Sequence, residues 1–199
     1  MSSVLKVDTI QTASGATPTI TDLGISNAAG SVLQVVHGTL PTTVSSTGAS
    51  GSDYLVNIGL SATITPKANN SKILIDVTMY IGSDQANSGG YLQSYLIYKA
   101  GSVFDDVHGT SESGRRRVAG SINMYDTGGT YTTYRMGVLS GTHMDTNVGT
   151  TSATTYAIYM RAYSSGPHIY VNRSQAYQSS GTNYDHNPSS TITLTEIAV

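Results

Sequence analysis

Lys72-Ile-Leu-Ile-Asp-Val-Thr-Met-Tyr-Ile81 is the stretch that decides the fold class of this chain. It is a nearly continuous run of apolar and β-branched residues. Such residues suit a pleated, half-buried surface and are stiff at χ1 in a helix. The run therefore predicts a strand, and its continuous apolar character favours a central position in a sheet.

Further strand patterns recur on both sides of this run, separated by turn clusters such as Pro66–Ser71. Ala100-Gly101-Ser102 is typical of a tight hairpin turn. None of the segments shows the 3.6-residue period of an amphipathic helix. The predicted strands are Ser31–His37, Tyr54–Leu60 leading into Ala62–Thr65, Tyr91–Lys99, Arg116–Tyr125, Tyr131–Met144, Thr154–Tyr163, Pro167–Asn172 and Ser190–Val199.

The C-terminal segment alternates most regularly. Ile192, Leu194 and Glu196 share one face, and threonines with Ile197 share the other. A terminal strand this regular is expected inside a sheet, because a free end would fray. About ten strands form a suitable inventory for an antiparallel two-sheet sandwich.

Composition agrees with an all-β fold and excludes several function classes. Charged residues are only 11% of the chain, and aromatic residues are almost entirely tyrosine, with 14 Tyr, one Phe and no Trp. Amphipathic helices need more charges than this. A net charge of −2 gives no basic field for nucleic acid. The absence of cysteine excludes disulfides and thiol chemistry.

The sequence predicts synthesis in a cytoplasm, without membrane insertion. The start, MSSVLKVDTIQT, lacks the basic and apolar pattern of a signal peptide. No stretch approaches the roughly 20 apolar residues of a membrane-spanning helix.

Two regions are predicted along the chain. Residues 1–30 carry isolated apolar side chains such as Leu5, Val7 and Ile10 among Ser, Thr and Gly, and bury too little apolar area to fold alone. They form an N-terminal arm that needs a partner surface: another copy of the chain, the main domain or a larger assembly. Residues 31–199 form the main domain.

Three stretches carry a resemblance to a known family: Ile64-Thr-Pro66 with Ser71-Lys-Ile-Leu-Ile75, Thr151-Ser-Ala-Thr-Thr-Tyr156 leading to Tyr170-Val-Asn-Arg-Ser174, and Ser189-Ser-Thr-Ile-Thr-Leu-Thr-Glu-Ile-Ala198. Each is short and built of common strand residues. Together, over residues 31–199, they resemble the tail fibre and virion structural proteins of marine tailed bacteriophages. The opening Leu5-Lys-Val-Asp-Thr-Ile10 is similar to the start of many such proteins.

The resemblance implies a jelly-roll head like those of complement and tumour-necrosis-factor domains. It also implies a homotrimer on the virion surface, often at a fibre tip. It carries over no ligand or functional residue. A trimer would also give the arm a partner, because three copies along an axis bury their apolar residues against one another.

Ser111-Glu-Ser-Gly-Arg-Arg-Arg117 holds three of the ten basic residues of the chain. Arg115, Arg116 and Arg117 are candidate ligand-binding residues, because guanidinium groups bind carboxylate and phosphate groups of an acidic glycan or a lipopolysaccharide. In the alternative interpretation the run is a solvated hairpin end whose arginines pair with Glu112 or Asp126.

Tyr177 and Tyr184 are the other candidates. They lie in a polar segment rich in Tyr, Ser, Gly and Asn, the composition of recognition loops. A tyrosine offers a flat apolar face and a hydroxyl to a sugar ring. In the alternative interpretation these tyrosines cover strand edges.

Carboxylate and imidazole groups fall together at three places: Asp105-Asp106-Val-His108, His143-Met-Asp145 and Asp185-His186. Zinc needs more His or Cys ligands, and calcium loops space their ligands more regularly. We interpret these residues as surface polar groups and predict no metal and no cofactor.

No nucleophile, nucleotide-binding or metalloprotease motif appears in the sequence. We therefore expect a non-enzymatic protein. With the resemblance, this gives the expectation of a virion protein: a homotrimeric fibre or knob on the virion surface, with loops that bind a host-surface polysaccharide. One alternative is a purely structural capsid decoration or tail adaptor protein. Another is a polysaccharide-degrading enzyme, which would need a cleft with paired carboxylates.

Overall fold

The strand predicted to be central does lie inside a sheet. β4 (Lys72–Gly82) pairs along one edge with β8 (Met136–Asp145) and along the other with β11 (Ser190–Ile197). Every second side chain of β4 is buried in the core: Ile73, Ile75, Val77, Met79 and Ile81. Full burial of such a side chain stabilises the fold by about 1.5–3 kcal/mol.

The structure, a computed structural model, describes residues 11, 14–15, 28–47, 54–82, 92–124, 132–162, 168–177 and 186–199. The predicted N-terminal arm, residues 1–30, therefore lies almost entirely outside the described residues. Gly30 is described, and its N–H donates to the carbonyl of Ala198 at 2.8 Å. The main domain is thus fastened at its beginning to the end of β11.

The described residues form eleven strands, two short 3₁₀ turns (Asp105–Val107 and Thr132–Tyr134) and no α-helix. This confirms the all-β prediction. In addition to β4, β8 and β11, the strands are β1 (Val32–Leu40), β2 (Val44–Thr47), β3 (Tyr54–Ile64), β5 (Leu92–Lys99), β6 (Ser102–Val103), β7 (Gly120–Asn123), β9 (Thr154–Ala162) and β10 (His168–Val171).

The strands form two antiparallel sheets. In the first sheet the order is β1-β11-β4-β8. β10 pairs with the end of β4 on the same edge as β11, and β2 pairs with β10. In the second sheet the order is β3-β9-β5. The edge of β5 opposite β9 pairs with β7 at one end and with β6 at the other. The inner faces of the two sheets enclose one hydrophobic core.

The pairing of the long strands is nested. β1 pairs with β11, β3 with β9, β4 with β8 and β5 with β7. The first strand thus pairs with the last, and the partners in each following pair lie closer together in the sequence. Eight strands nested in this way over two sheets form a jelly roll. The predicted jelly-roll sandwich is therefore confirmed.

Two predicted strands are shorter than the sequence pattern indicated. Residues 116–125 were expected to form one strand, but only Gly120–Asn123 pairs with β5, because Arg117 turns back to bind backbone carbonyls of the preceding loop. The segment 131–144 was also expected to be a strand throughout. Its beginning instead contains the 3₁₀ turn Thr132–Tyr134, and β8 starts at Met136.

Asn172 fastens the corner where four segments meet. Its side chain is fully buried, and its φ of 58° is a left-handed conformation that Asn tolerates. Its amide nitrogen donates to the carbonyls of Leu40 at 2.6 Å and Thr42 at 3.0 Å. Its amide oxygen accepts from the Ser190 hydroxyl at 2.6 Å. These bonds hold the end of β1 and the start of β11 against the end of β10.

Asn172→Gly should lower the free energy of unfolding by about 2 kcal/mol, because it leaves buried polar groups without their partner. Glycine keeps the left-handed backbone, so the loss measures the side-chain hydrogen bonds. Urea denaturation tests this. Asn69→Gly, at an exposed turn, serves as the control and should change stability by no more than about 0.5 kcal/mol. Equal effects of the two substitutions would contradict the assignment.

Candidate functional site

The arginine run lies in the connection between β6 and β7. We call residues 109–119 the arginine loop. Its two ends meet, since the Gly109 N–H donates to the Val118 carbonyl at 3.3 Å, and the Ala119 N–H donates to Tyr95 of β5 at 2.8 Å. Gly114 allows the turn at its tip with a φ of 74°. The loop is therefore fastened to the edge of the second sheet.

Arg117 holds the base of this loop. Its Nε donates to the Gly109 carbonyl at 2.8 Å, and its Nη2 donates to the Asp105 carbonyl at 3.0 Å. Its Nη1 lies 3.1 Å from the Asp105 carboxylate. These bonds give Arg117 a structural role in shaping the loop.

Beside the loop is a cavity of about 540 Å³, which we call the arginine cavity. Tyr95 and Met160 face the core, so Ser94 and Arg161, one residue away on the same strands, face outward. The cavity thus lies on the outer face of the second sheet. Its described lining residues are Leu92, Ser94, Gly114, Arg115, Arg116, Val118, Ser121 and Arg161.

The cavity brings together two of the predicted arginines and one that sequence reasoning missed. Arg115 and Arg116 line it, whereas Arg117 is not among its described lining residues. Arg161 comes from β9, which pairs with β5 and places Arg161 opposite Ser94. The sequence signal that could have identified Arg161 is a single charged residue at an outward position of an otherwise uncharged strand.

Arg115 also satisfies part of the alternative interpretation. Its guanidinium lies 3.1 Å from the Glu112 carboxylate of the same loop, and Asp126 lies outside the described residues. Both side chains of the pair are more than half exposed. An ion pair so exposed contributes little to stability.

The predicted tyrosines lie elsewhere. The Arg173 guanidinium lies 4.7 Å from the Tyr177 ring centroid and 5.2 Å from that of Tyr170, so it contacts both rings. Asn187 also donates to the Tyr177 hydroxyl at 3.5 Å. Tyr177 is therefore part of a packed cluster and is not among the described lining of the arginine cavity. Tyr184 lies outside the described residues.

The groups considered for metal binding have other contacts. Asp105 lies beside Arg117, and its carboxylate is 3.6 Å from the His108 Nδ1. Asp145 faces the core with His143 on the same strand, but it is paired with Lys99 at 2.6 Å. Among the residues whose positions are described, no three His, Asp or Glu side chains gather into a metal-binding group. Asp185 lies outside them.

Two histidines, the buried His108 and the half-buried His143, contact residues of β5. The His108 side chain is inaccessible, and its Nε2 accepts from the Ile97 N–H at 3.2 Å. His143 Nε2 lies 2.6 Å from the Tyr95 hydroxyl. Burial raises the pKa of Tyr95 to about 12, so the phenol keeps its proton at neutral pH and can donate it to His143.

Both imidazoles are held in the neutral form. Burial lowers the pKa of His108; Asp105 opposes this, and Arg117 and Arg161 reinforce it. Burial also lowers the pKa of His143, and His108 reinforces the shift. In the unfolded chain a histidine has a pKa of about 6.5. The unfolded state therefore binds more protons than the folded state as the pH falls through that value.

The free energy of unfolding should consequently decrease as the pH falls from about 7.5 to about 5.5, and the decrease begins near the unfolded histidine pKa of about 6.5. Urea denaturation midpoints across this range test the prediction. His108→Gln should reduce the slope, whereas His37→Gln, at an exposed ring, should keep it. A midpoint that stays constant over the range would contradict it.

Comparison with known proteins adds no family assignment. No protein-family model matches the chain, and no curated protein matches it significantly. Within the described ranges no helix is long and apolar enough to cross a bilayer. The functional interpretation therefore depends on the fold and on the arginine cavity.

Proposed function

We propose that the chain is a virion structural protein of a tailed bacteriophage, a homotrimeric fibre or knob whose outer loops bind a glycan of the host surface. The observation that carries the proposal is the arginine cavity. A loop of the jelly roll forms a recess of about 540 Å³ on the outer face of a sheet. Ligand-binding pockets typically have volumes of about 300–1,000 Å³.

Exposed apolar residues on the first sheet support association between copies. Val35 and Val138 lie on its outer face and are 58% and 53% exposed, and Val32 at the start of β1 is 60% exposed. Val32 and Val35 are neighbours on β1, whereas Val138 lies three strands away on β8, so the apolar contact offered to another copy is at β1. In a trimer, the N-terminal arm would supply the second contact between copies or the attachment to the particle.

Binding by such a protein would be multivalent. A trimer offers three equivalent cavities, and several trimers on one particle raise the effective concentration of each site. Weak binding at one cavity is then sufficient for firm attachment of the particle.

A glycan array combined with a depolymerase assay tests the binding function. Binding without cleavage supports the proposal. Silence in both assays favours the capsid decoration or tail adaptor alternative, and cleavage would establish the polysaccharide-degrading enzyme.

The oligomer is tested by the mass in solution of the full chain and of a variant that begins at Ser31. The proposal predicts a trimer for the full chain. If only the full chain is a trimer, the N-terminal arm holds the trimer together. If both proteins are monomers at micromolar concentration, the trimer is refuted.

A further inference from the structure

We propose that the arginine cavity binds the acidic group of a charged saccharide, with Arg116 and Arg161 as the contacting residues. The inference rests on the proposed glycan-binding function and specifies the class of its ligand: a sugar carrying a carboxylate, sulfate or phosphate group.

The charge distribution is the first argument. The chain has a net charge of −2 and only ten basic residues, yet three of them line this one cavity. No Asp or Glu is among its described lining residues. Arg115 is paired with Glu112, so the guanidinium groups of Arg116 and Arg161 are the ones proposed to give the recess a local positive potential that attracts anions. The planar guanidinium fork also matches the oxygens of carboxylate, sulfate and phosphate groups.

The remaining lining fits a sugar better than a bare ion. Ser94 and Ser121 provide hydroxyl groups, and Leu92 and Val118 provide apolar surface. A sugar ring presents hydroxyls at its edge and C–H groups on its faces, so it needs both kinds of contact. A volume of about 540 Å³ is far larger than a single inorganic anion requires.

Arg161 is held in place before a ligand arrives. Its Nη1 donates to the Arg117 carbonyl at 3.4 Å, and its own carbonyl accepts from the Ser94 hydroxyl at 3.3 Å. A side chain positioned in advance loses less conformational entropy on binding. Arg116 is exposed on the loop opposite and can approach the ligand from the other side.

A pair of aromatic rings continues the surface. Tyr159 lies two residues before Arg161 on the same outer face of β9, about 7 Å away along the strand. Its ring stacks on that of Tyr98 with centroids 3.8 Å apart. Tyrosine rings and hydroxyls suit contact with a sugar. The neighbouring sugar of an acidic oligosaccharide would contact this pair.

Calorimetric titration of the full chain tests the inference with three probes: an oligogalacturonate, a neutral malto-oligosaccharide of the same length, and inorganic phosphate. We expect the oligogalacturonate to bind, with an affinity that falls as salt rises, and the other two to bind at least about tenfold more weakly. Arg116→Ala and Arg161→Ala should each raise the Kd about tenfold.

Two further variants control the test. Lys72→Ala removes one positive charge from the opposite sheet and should change the Kd by less than about twofold. Because Arg161 also bonds to the arginine loop, circular dichroism must show that its variant is folded. Ser121→Asp places a carboxylate in the cavity at an exposed position and should abolish binding while the fold is kept.

Three results would overturn the inference alone. The first is preferential binding of neutral glycans, and the second is binding unaffected by Arg116→Ala and Ser121→Asp; both would leave the proposed function standing. The third is phosphate binding as tightly as the oligogalacturonate, which would identify an anion site without saccharide selectivity. Binding to no glycan at all, on the array or in solution, would refute the proposed function itself.

Discussion

Replacing Asp145 with alanine should lower the free energy of unfolding by about 2–3 kcal/mol, because it leaves the buried Tyr156 hydroxyl and the partly exposed Lys99 ammonium without their partner. Asp145 is 2% exposed, and its Oδ2 lies 2.6 Å from the Lys99 Nζ. The same oxygen accepts from the Tyr156 hydroxyl at 2.6 Å, and Oδ1 accepts from the Asn147 N–H at 3.2 Å. The carboxylate thus connects β8, β5 and β9 at one end of the sandwich. Urea denaturation measures the loss.

A double-mutant cycle separates the ion pair from general packing. If Lys99 is replaced by methionine as well, the double variant should lose less stability than the sum of the two single variants, because no unpaired charge remains. Asp76→Ala is the matched control. Asp76 accepts a hydrogen bond from Thr142 at 2.6 Å on the outer face of the same sheet. Its loss should not exceed about 1 kcal/mol. Equal losses at Asp76 and Asp145 would contradict the interpretation.

Gly38→Ala should cost about 3 kcal/mol, the upper end of the usual range for overpacking. A Cβ at this position would collide with the backbone oxygen of Ser61 and lie 3.0 Å from the Ile192 side chain. A backbone oxygen cannot rotate away as a side chain can. Gly38 therefore marks where β1 of the first sheet and β3 of the second come together, and an added methyl group would force them apart.

Gly109→Ala is the matched control for Gly38. A Cβ at Gly109 would have nothing within 4 Å, and the backbone there is outside the left-handed region. Its substitution should change stability by no more than about 0.5 kcal/mol. Thermal or urea denaturation compares the two variants, and a Gly38→Ala protein as stable as Gly109→Ala would show that the strands can separate without cost.

The fold was largely accessible from the sequence because its signal is local. In β11 the alternation placed Ile192, Leu194 and Glu196 on one face, and the structure buries all three. The partners of Glu196 were not accessible. Its carboxylate accepts hydrogen bonds from the Gln34 side chain and the Lys67 N–H, and these segments meet only in the folded sheet.

The candidate site was accessible only in part, for the same reason. A run of three arginines is visible in the sequence, and two of them line the cavity. Arg161 also lines the cavity, because β9 pairs with β5. Arg117 is not among the described lining residues, because its guanidinium binds backbone carbonyls of its own loop. The order of strands and the path of a loop are set by packing across the whole domain, which no short pattern encodes. Tyr177 illustrates the converse, since a composition typical of recognition loops includes a tyrosine that packs on Arg173.

The position of β11 between β1 and β4 has a consequence for synthesis. β11 follows all the other described strands in the chain. Until it is in place, β1 has no partner among the described strands, and β4 is paired with β8 along one edge and with β10 over only part of the other. Native closure of this sheet must therefore wait until β11 has been synthesised and has left the ribosome, and contacts between distant parts of a chain form slowly. During that interval the exposed strand edges are open to pairing between neighbouring nascent chains.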